Sequence, residues 1–268
     1  MTLSVTRASP HPGVAVVTMS NPEINNHGSW AGIGQLADEM AAAREDGALV
    51  TVLASGVPGH WFEHAWLTDL VAAMKGEPTT GEGAAWGRAL EEIGRTHVVT
   101  IAAVSGDCSG GGAELGWACD LRIAEEQAAF GQPEVQIALT TGIGGTSRLA
   151  RVIGRTATAE MVLDGTPMTA QRIYELGGVN RVVPEGQSLP VAVEWAQRIA
   201  QRPAPALAAL KAILRENDDL SLTEALKNEQ RHFQGVASSE EAIDQMSAIQ
   251  ARFDSGEAIR SVYGEPRP

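Results

Sequence analysis

The chain has 268 residues, of which 44% are hydrophobic and 20% charged, and its formal net charge is −13. This length permits one large domain, or one domain with an appendage, and a core that needs no cross-links for stability. Because acidic residues outnumber basic ones by 33 to 20, a nucleic-acid-binding surface, which requires a dense basic patch, is not expected.

Cysteine content and hydropathy limit the cellular context. Only Cys108 and Cys119 are present, so neither a disulfide framework nor a cysteine-based zinc site is expected. The first residues contain no apolar signal core, and no stretch reaches membrane-spanning length. We therefore expect a cytoplasmic protein that does not insert into a membrane.

In chain order, strand-like and helix-like segments alternate. Apolar runs predict strands over 14–19, 49–53, 98–104 and 121–124. Helical spacing of apolar residues predicts helices over 30–44 and 86–93. This alternation predicts an α/β fold.

The pattern changes at residue 191, after which only helical segments follow. They are predicted at roughly 191–201, 205–216, 222–233 and 240–253. We therefore predict an α/β core over residues 1–190 and a helical appendage over residues 191–268.

A run of three glycines, Gly110 to Gly112, follows the strand predicted over 98–104 and precedes Glu114. Consecutive glycines let the backbone approach a ligand closely. The free N–H groups of a helix beginning there would stabilise an oxyanion. Glu114 is placed in the first turn, where the helix dipole would favour its charged form and suit a general base. The alternative is a tight turn that Glu114 caps.

Glu134 lies 20 positions after Glu114 and follows Pro133. The next five residues, 135–139, are largely apolar, so the carboxyl is expected to be partly desolvated. Desolvation would raise its pKa and suit a general acid, although an exposed loop glutamate is the alternative. Gly142 belongs to a second glycine-rich turn that completes a pocket or merely joins two elements.

Residues His60 to His64 match H-x-x-E-H, the pattern of inverted zinc peptidases. That chemistry needs both histidines on one helix face and a third ligand. Here Pro58 and Gly59 come immediately before the pattern, directly after a strand, which indicates a loop. We therefore interpret the match as coincidental and expect no metal.

Taken together, four motifs resemble the crotonase family of enoyl-CoA hydratases and isomerases over nearly the whole chain. They are residues 110–115, 130–134, 144–149 and 161–165, in the order and spacing of that family. The resemblance implies a ClpP-like spiral of ββα units and a carboxy-terminal helical region that assembles trimers or hexamers. It also implies an acyl-CoA thioester substrate and no separate cofactor, since coenzyme A is part of the substrate.

The resemblance also implies roles for single residues. Glu114 and Glu134 match the hydratase pair of carboxylates. The backbone N–H groups of His64 and Gly111 match the oxyanion hole. Gly142 matches a glycine that lines the site of the catalytic water.

Two further positions are implied to bind substrate, and one segment departs from the family. Asn26 matches an asparagine near the adenine of coenzyme A. In segment 62–67, Ala65 replaces a glycine and Leu67 an aspartate, while Trp66 could narrow the acyl pocket. The expected reaction is hydration of a 2-enoyl-CoA. An isomerase, a hydrolase of C–C or thioester bonds, and a non-catalytic acyl-CoA-binding assembly protein remain alternatives.

Overall fold

The computed structural model describes residues 2–265, which divide into two compact units between Ala204 and Pro205. The strands are β1 (Ser4–His11), β2 (Val14–Ser20), β3 (Val50–Ser55), β4 (Gly59–His60), β5 (Val99–Val104), β6 (Gly106–Ser109), β7 (Leu121–Glu125), β8 (Ala129–Gly131), β9 (Met168–Thr169) and β10 (Arg181–Val183). The helices of the first unit are α1 (Trp30–Glu45), α2 (Leu67–Lys75), α3 (Ala85–Gly94), α4 (Gly110–Ala118), α5 (Gly145–Ile153), α6 (Arg155–Asp164), α7 (Ala170–Glu175) and α8 (Ser188–Ala200).

The strands form two sheets that share a repeating connection. The larger sheet has the order β1-β2-β3-β5-β7-β10, and all its pairs are parallel except β1 with β2. The smaller sheet has the order β4-β6-β8-β9. The chain passes from β3 to β4 and then α2, and from β5 to β6 and then α4. Each such ββα unit contributes one strand to each sheet, so the predicted α/β spiral is confirmed.

The central strands β2, β3, β5 and β7 of the larger sheet are buried on both faces, which explains why their sequences are continuous apolar runs. On β3, Leu53 points into the cluster that contains the buried residues of α1, α3 and α4. Val50 and Val52 point to the opposite face of the sheet from Leu53, into a second cluster that contains Ala192 and Ala196 of α8. Helix α8 thus packs on the sheet, which explains why the first unit extends to Ala204 although the helical pattern begins near 191.

The second unit contains α9 (Ala204–Glu216), α10 (Leu222–Ala237), α11 (Glu240–Asp254) and α12 (Ile259–Tyr263). Helix α10 begins with a capping box, in which Ser221 and Glu224 satisfy each other's backbone N–H groups. Several large apolar side chains on these helices are exposed, including Leu214 and Leu222. Within residues 2–265, no helix is both long enough and apolar enough to cross a membrane.

Candidate active site

A cavity of about 560 Å³ lies in the first unit. Its walls come from the starts of α1, α3 and α4, from α2 and the loop before it, and from the segment over 133–143. The two carboxyls, Glu114 and Glu134, both line it, together with His64, Gly111 and Gly142. Five of the residues that the sequence singled out therefore lie around one space.

The glycine run forms the amino terminus of α4, which begins at Gly110 directly after β6. A Cβ atom built on Gly110 would lie 2.7 Å from the Cβ of His64 and 3.5 Å from Oε1 of Glu134. One on Gly112 would lie 1.9 Å from the carbonyl oxygen of Phe62. Only glycine permits this close approach, which sets α4 directly against the loop that contains His64.

The amino terminus of α4 has free hydrogen-bond donors. The first N–H groups of a helix have no partner within it. Ser109, the residue before the helix, provides no side-chain cap. Because Gly111 lies in this first turn and lines the cavity, its N–H is available to a negative oxygen at the positive end of the helix dipole.

The loop between β4 and α2 contributes the backbone of His64. The N–H of Gly28 donates to the His64 carbonyl at 3.0 Å, and the N–H of Trp66 donates to the Gly28 carbonyl at 3.0 Å. Among the described residues, no backbone carbonyl accepts a hydrogen bond from the His64 N–H. Positive φ outside glycine occurs in the described chain only at Asn25, Asn26 and Ala138. Ala65 therefore adopts a backbone conformation that does not require the family's glycine.

Glu114 is 3% exposed and is held by the loop that follows Glu134. Its Oε1 accepts hydrogen bonds from the N–H groups of Ile143 at 2.9 Å and Gly145 at 2.6 Å. Burial raises the pKa of Glu114, and these backbone donors only partly offset it. The expectation that a first-turn position favours the charged form is wrong. Glu114 is the fifth helical residue, and desolvation outweighs the nearby dipoles.

Glu134 begins a short 3-10 helix, Glu134–Ile137, on the opposite wall. Burial raises its pKa, and the negative charge of Glu114 raises it further. The direction of this pKa shift agrees with the prediction, but the apolar residues from which it was predicted, Val135, Ile137 and Leu139, are themselves exposed. Two carboxyls with raised pKa values in one cavity are suited to holding and exchanging a proton.

Gln132 is a positioning residue that the sequence analysis did not identify. It is 1% exposed, and its amide satisfies both neighbours when the oxygen faces Trp117. In that orientation the oxygen accepts from Nε1 of Trp117 at 3.0 Å, and the amide nitrogen donates to Oε1 of Glu134 at 2.9 Å. Gln132 therefore fixes the Glu134 carboxyl against a buried indole. Its position two residues before Glu134 was the only available signal.

Asn26 is fully buried and does not line the cavity. Its Oδ1 accepts from the N–H of Asn21 at 2.8 Å. Its Nδ2 donates to the carbonyl of Trp61 and to Oγ of Ser55, both at 2.8 Å. These bonds lock a turn in which Asn26 has φ +58°. The side chain thus holds the backbone before α1 rather than a cavity wall.

Trp66, the residue before α2, also does not line the cavity. Two other tryptophans, Trp30 and Trp86, line the cavity, and their ring centroids are 6.1 Å apart in an edge-to-face arrangement. A Cβ on Gly111 would lie 2.9 Å from Cη2 of Trp86. The narrowing of the pocket that was predicted for Trp66 is therefore provided by Trp86.

The H-x-x-E-H segment is not helical, as expected. His60 ends β4, and Glu63 and His64 lie in the following loop. Burial raises the pKa of Glu63, but hydrogen bonds from His27 and His60 outweigh it, so the net pKa is lowered. Because His60 and His64 do not lie on one helix, the geometry of an inverted zinc peptidase is not formed.

Comparison with known proteins agrees with this geometry. The model of the Enoyl-CoA hydratase/isomerase family matches residues 10–252. The 2,3-dehydroadipyl-CoA hydratase of Escherichia coli is 30% identical over 88% of this chain and 91% of its own length. A carnitinyl-CoA dehydratase of Salmonella arizonae is 31% identical over 94% of this chain and 96% of its own length.

Solved structures give the same result. An enoyl-CoA hydratase subunit of Geobacillus kaustophilus superposes with a TM-score of 0.84 at 25% identity, covering 100% of this chain and 98% of that one. The Bacillus anthracis enoyl-CoA hydratase has a TM-score of 0.80 at 26% identity, and the match covers 94% of this chain and 97% of that one. The chain belongs to the crotonase family of enoyl-CoA hydratases and isomerases, which confirms the resemblance and the fold.

Proposed function

We propose that the protein is an enoyl-CoA hydratase, which adds water across the 2,3 double bond of an enoyl-CoA thioester. The observation that carries the proposal is the position of Glu114 and Glu134, both with raised pKa, on one cavity beside free backbone donors. The printed names of relatives at about 30% identity, a hydratase and a dehydratase of CoA thioesters, support the same reaction class.

The reaction begins with the thioester oxygen between the N–H groups of His64 and Gly111. Negative charge grows on that oxygen as a nucleophile attacks C3 of the enoyl group. Donors already aimed at this position stabilise the charge, each by about 3 kcal/mol. The acyl chain then extends along the apolar wall formed by Trp30 and Trp86.

Glu114 and Glu134 transfer the protons. Glu114, as carboxylate, takes a proton from water while the oxygen of that water bonds to C3. Glu134, as carboxylic acid, gives its proton to C2, which receives the electron pair of the former double bond. Transfer of the proton from Glu114 to Glu134 restores the starting state. The reaction needs no cofactor besides the coenzyme A of the substrate.

Turnover of a series of trans-2-enoyl-CoA thioesters, starting with crotonyl-CoA, tests this proposal. We expect Glu114→Gln and Glu134→Gln each to lower kcat by about 10²- to 10⁴-fold, whereas Glu126→Gln, at an exposed glutamate, leaves it unchanged. Binding of the thioesters without hydration would overturn the proposal. Loss of turnover in Glu114→Gln alone would instead favour an isomerase with a single base.

Two further properties are part of this proposal. We propose that the second unit assembles homotrimers or hexamers, because Leu214 and Leu222 remain 72% and 76% exposed within one chain. Light scattering that gives a monomer mass would contradict this. We also propose a cytoplasmic location, because the chain has only two cysteines, too few for the disulfide framework of an oxidising compartment.

A further inference from the structure

Three imidazoles and one carboxylate meet beside the cavity, outside the pair of catalytic glutamates. His27 lies in the turn before α1, while His60, Glu63 and His64 come from β4 and the loop that follows. Oε2 of Glu63 is 2.7 Å from Nε2 of His27, and its other oxygen contacts Nδ1 of His60. The rings of His27 and His64 have centroids 4.2 Å apart.

Three of these groups lie close enough together to share one metal ion. One ligand atom from each of His27, Glu63 and His64 lies within 4.8 Å of the other two. A tetrahedral zinc ion with bonds of about 2.1 Å holds its ligand atoms roughly 3.4 Å apart. Small rotations of the side chains would therefore bring the three groups into one coordination sphere.

The surrounding hydrogen bonds are also those of a metal site. Nδ1 of His64 donates to the carbonyl oxygen of Ala65 at 2.8 Å, which leaves the lone pair of the neutral ring on Nε2. Ligating histidines usually use their second nitrogen in this way. Nδ1 of His60 contacts the second oxygen of Glu63, so the carboxylate is also held by a histidine outside the three proposed ligands.

An ion can reach this cluster from solvent. The side chains of His27 and Glu63 are 22% and 15% exposed, and the formal charge of −13 attracts cations to the protein. Since three protein ligands leave one position of a tetrahedral ion open, water or a ligand in the cavity would complete the sphere.

We propose that His27, Glu63 and His64 bind one divalent transition-metal ion of the zinc class. The ion would hold together the turn before α1 and the loop that presents the His64 N–H to the cavity. This site is separate from the acid–base pair of Glu114 and Glu134. It differs from a zinc-peptidase site because His27, from a distant segment, takes the place that the H-x-x-E-H pattern gives to His60.

Metal binding to the purified, tag-free protein tests this proposal directly. The protein is treated with a chelator, dialysed, and titrated with Zn²⁺ against a chromophoric chelator. We expect one Zn²⁺ per chain, and binding at least tenfold weaker in His27→Gln and Glu63→Gln. His97→Gln, at an exposed histidine outside the cluster, is the matched control and should bind Zn²⁺ as the wild type does.

A second measurement needs no variant. Co²⁺ added to the metal-free wild type should give the intense visible absorption of a tetrahedral site with nitrogen and oxygen ligands, and Zn²⁺ should abolish it. Binding below about one tenth of an equivalent, or equal affinity in wild type and both cluster variants, would overturn the proposal. Because the readout is metal binding, failure of the hydration proposal leaves this result interpretable.

Discussion

The two sides of the proposed oxyanion hole are built by different means. At the start of α4, a Cβ on Gly112 would collide with the backbone of Phe62, so sterics set the structure. In the opposite loop, hydrogen bonds between Gly28, His64 and Trp66 set the backbone instead. The helical side therefore admits no side chain, whereas the loop accepts Ala65 and carries an imidazole at His64.

This difference shows where such a site can change. A backbone N–H can be presented equally well by a helix terminus or by an extended loop, since the donor is the same group in both. Only the loop leaves its side chains free to vary. The histidine cluster lies on this variable side and leaves Gly111 and Gly112 unaltered.

The largest effect is expected from a methyl group on the helical side. Gly112→Ala would place Cβ 1.9 Å from the Phe62 carbonyl oxygen, so the start of α4 must move away from the loop. We expect a loss of about 3 kcal/mol in the free energy of unfolding. Displacement of one oxyanion donor should lower kcat by about 10²- to 10³-fold. Urea denaturation and crotonyl-CoA turnover measure the two quantities.

The matched control is Gly87→Ala in α3. A Cβ there meets nothing within 4 Å, so the variant should be as stable as the wild type or more stable by up to about 1 kcal/mol. Equal stability of Gly112→Ala and Gly87→Ala would contradict the steric account of the helical side.

A smaller loss of activity is expected from a change at Gln132, which hydrogen-bonds to Glu134 and belongs to neither side of the oxyanion hole. Gln132→Met keeps the length of the side chain but removes the hydrogen bonds to Trp117 and Glu134. We expect kcat to fall by about tenfold with KM little changed, because the acid is less well oriented. Since the lost bond favours the charged carboxylate, the pKa of Glu134 should rise and shift the pH profile of kcat upward.

Gln171→Met serves as the control for that substitution. Gln171 also donates to a glutamate, Glu175, at 3.2 Å, but on the exposed surface of α7. Its replacement should leave kcat and the pH profile unchanged. If Gln132→Met gave the same result, Gln132 would be a packing residue without a positioning role.

The sequence alone predicts the strands that are buried on both faces and the helices with regular apolar spacing, and it misses elements that lack both patterns. The central strands were predicted to within two residues because continuous apolar runs mark them. Strand β1 (Ser4–His11) was missed because it is an edge strand with mostly exposed residues. Helix α2 was missed because its only buried residue is Asp69, which accepts a hydrogen bond from the N–H of Trp30 at 2.8 Å.

The same limit applies to the site. Glu114 and Glu134 could be predicted because they belong to ordered local motifs. Trp86 and His27 could not, because each contacts a residue that is distant in sequence. The role of Gln132 could not be predicted either, because its orientation depends on the indole of Trp117. Asn26 was placed in the right turn, but whether its amide faces a ligand or the backbone depends on three other segments.

The raised pKa of Glu134 predicts how pH affects stability. A carboxyl with a higher pKa in the folded than in the unfolded state stabilises the fold fully below its unfolded pKa. That contribution is lost as pH rises through the folded pKa. We therefore expect the free energy of unfolding of Glu134→Gln, relative to wild type, to increase between about pH 4 and pH 7. Urea denaturation across this range measures it, and an unchanged difference would contradict the raised pKa.

The smallest effect is expected where the loop departs from its family. Ala65→Gly restores the glycine, but Ala65 has no positive φ, so no strain is relieved. We expect the free energy of unfolding to fall by about 0.4–1 kcal/mol, because glycine gives the unfolded chain more freedom. The control Ala48→Gly, in a loop outside the site, should lower the free energy of unfolding by a similar amount. With the His64 N–H already in place, kcat should stay within about threefold of wild type. A tenfold rise in kcat would show that the methyl group holds this donor out of position, and that sterics constrain both sides of the hole.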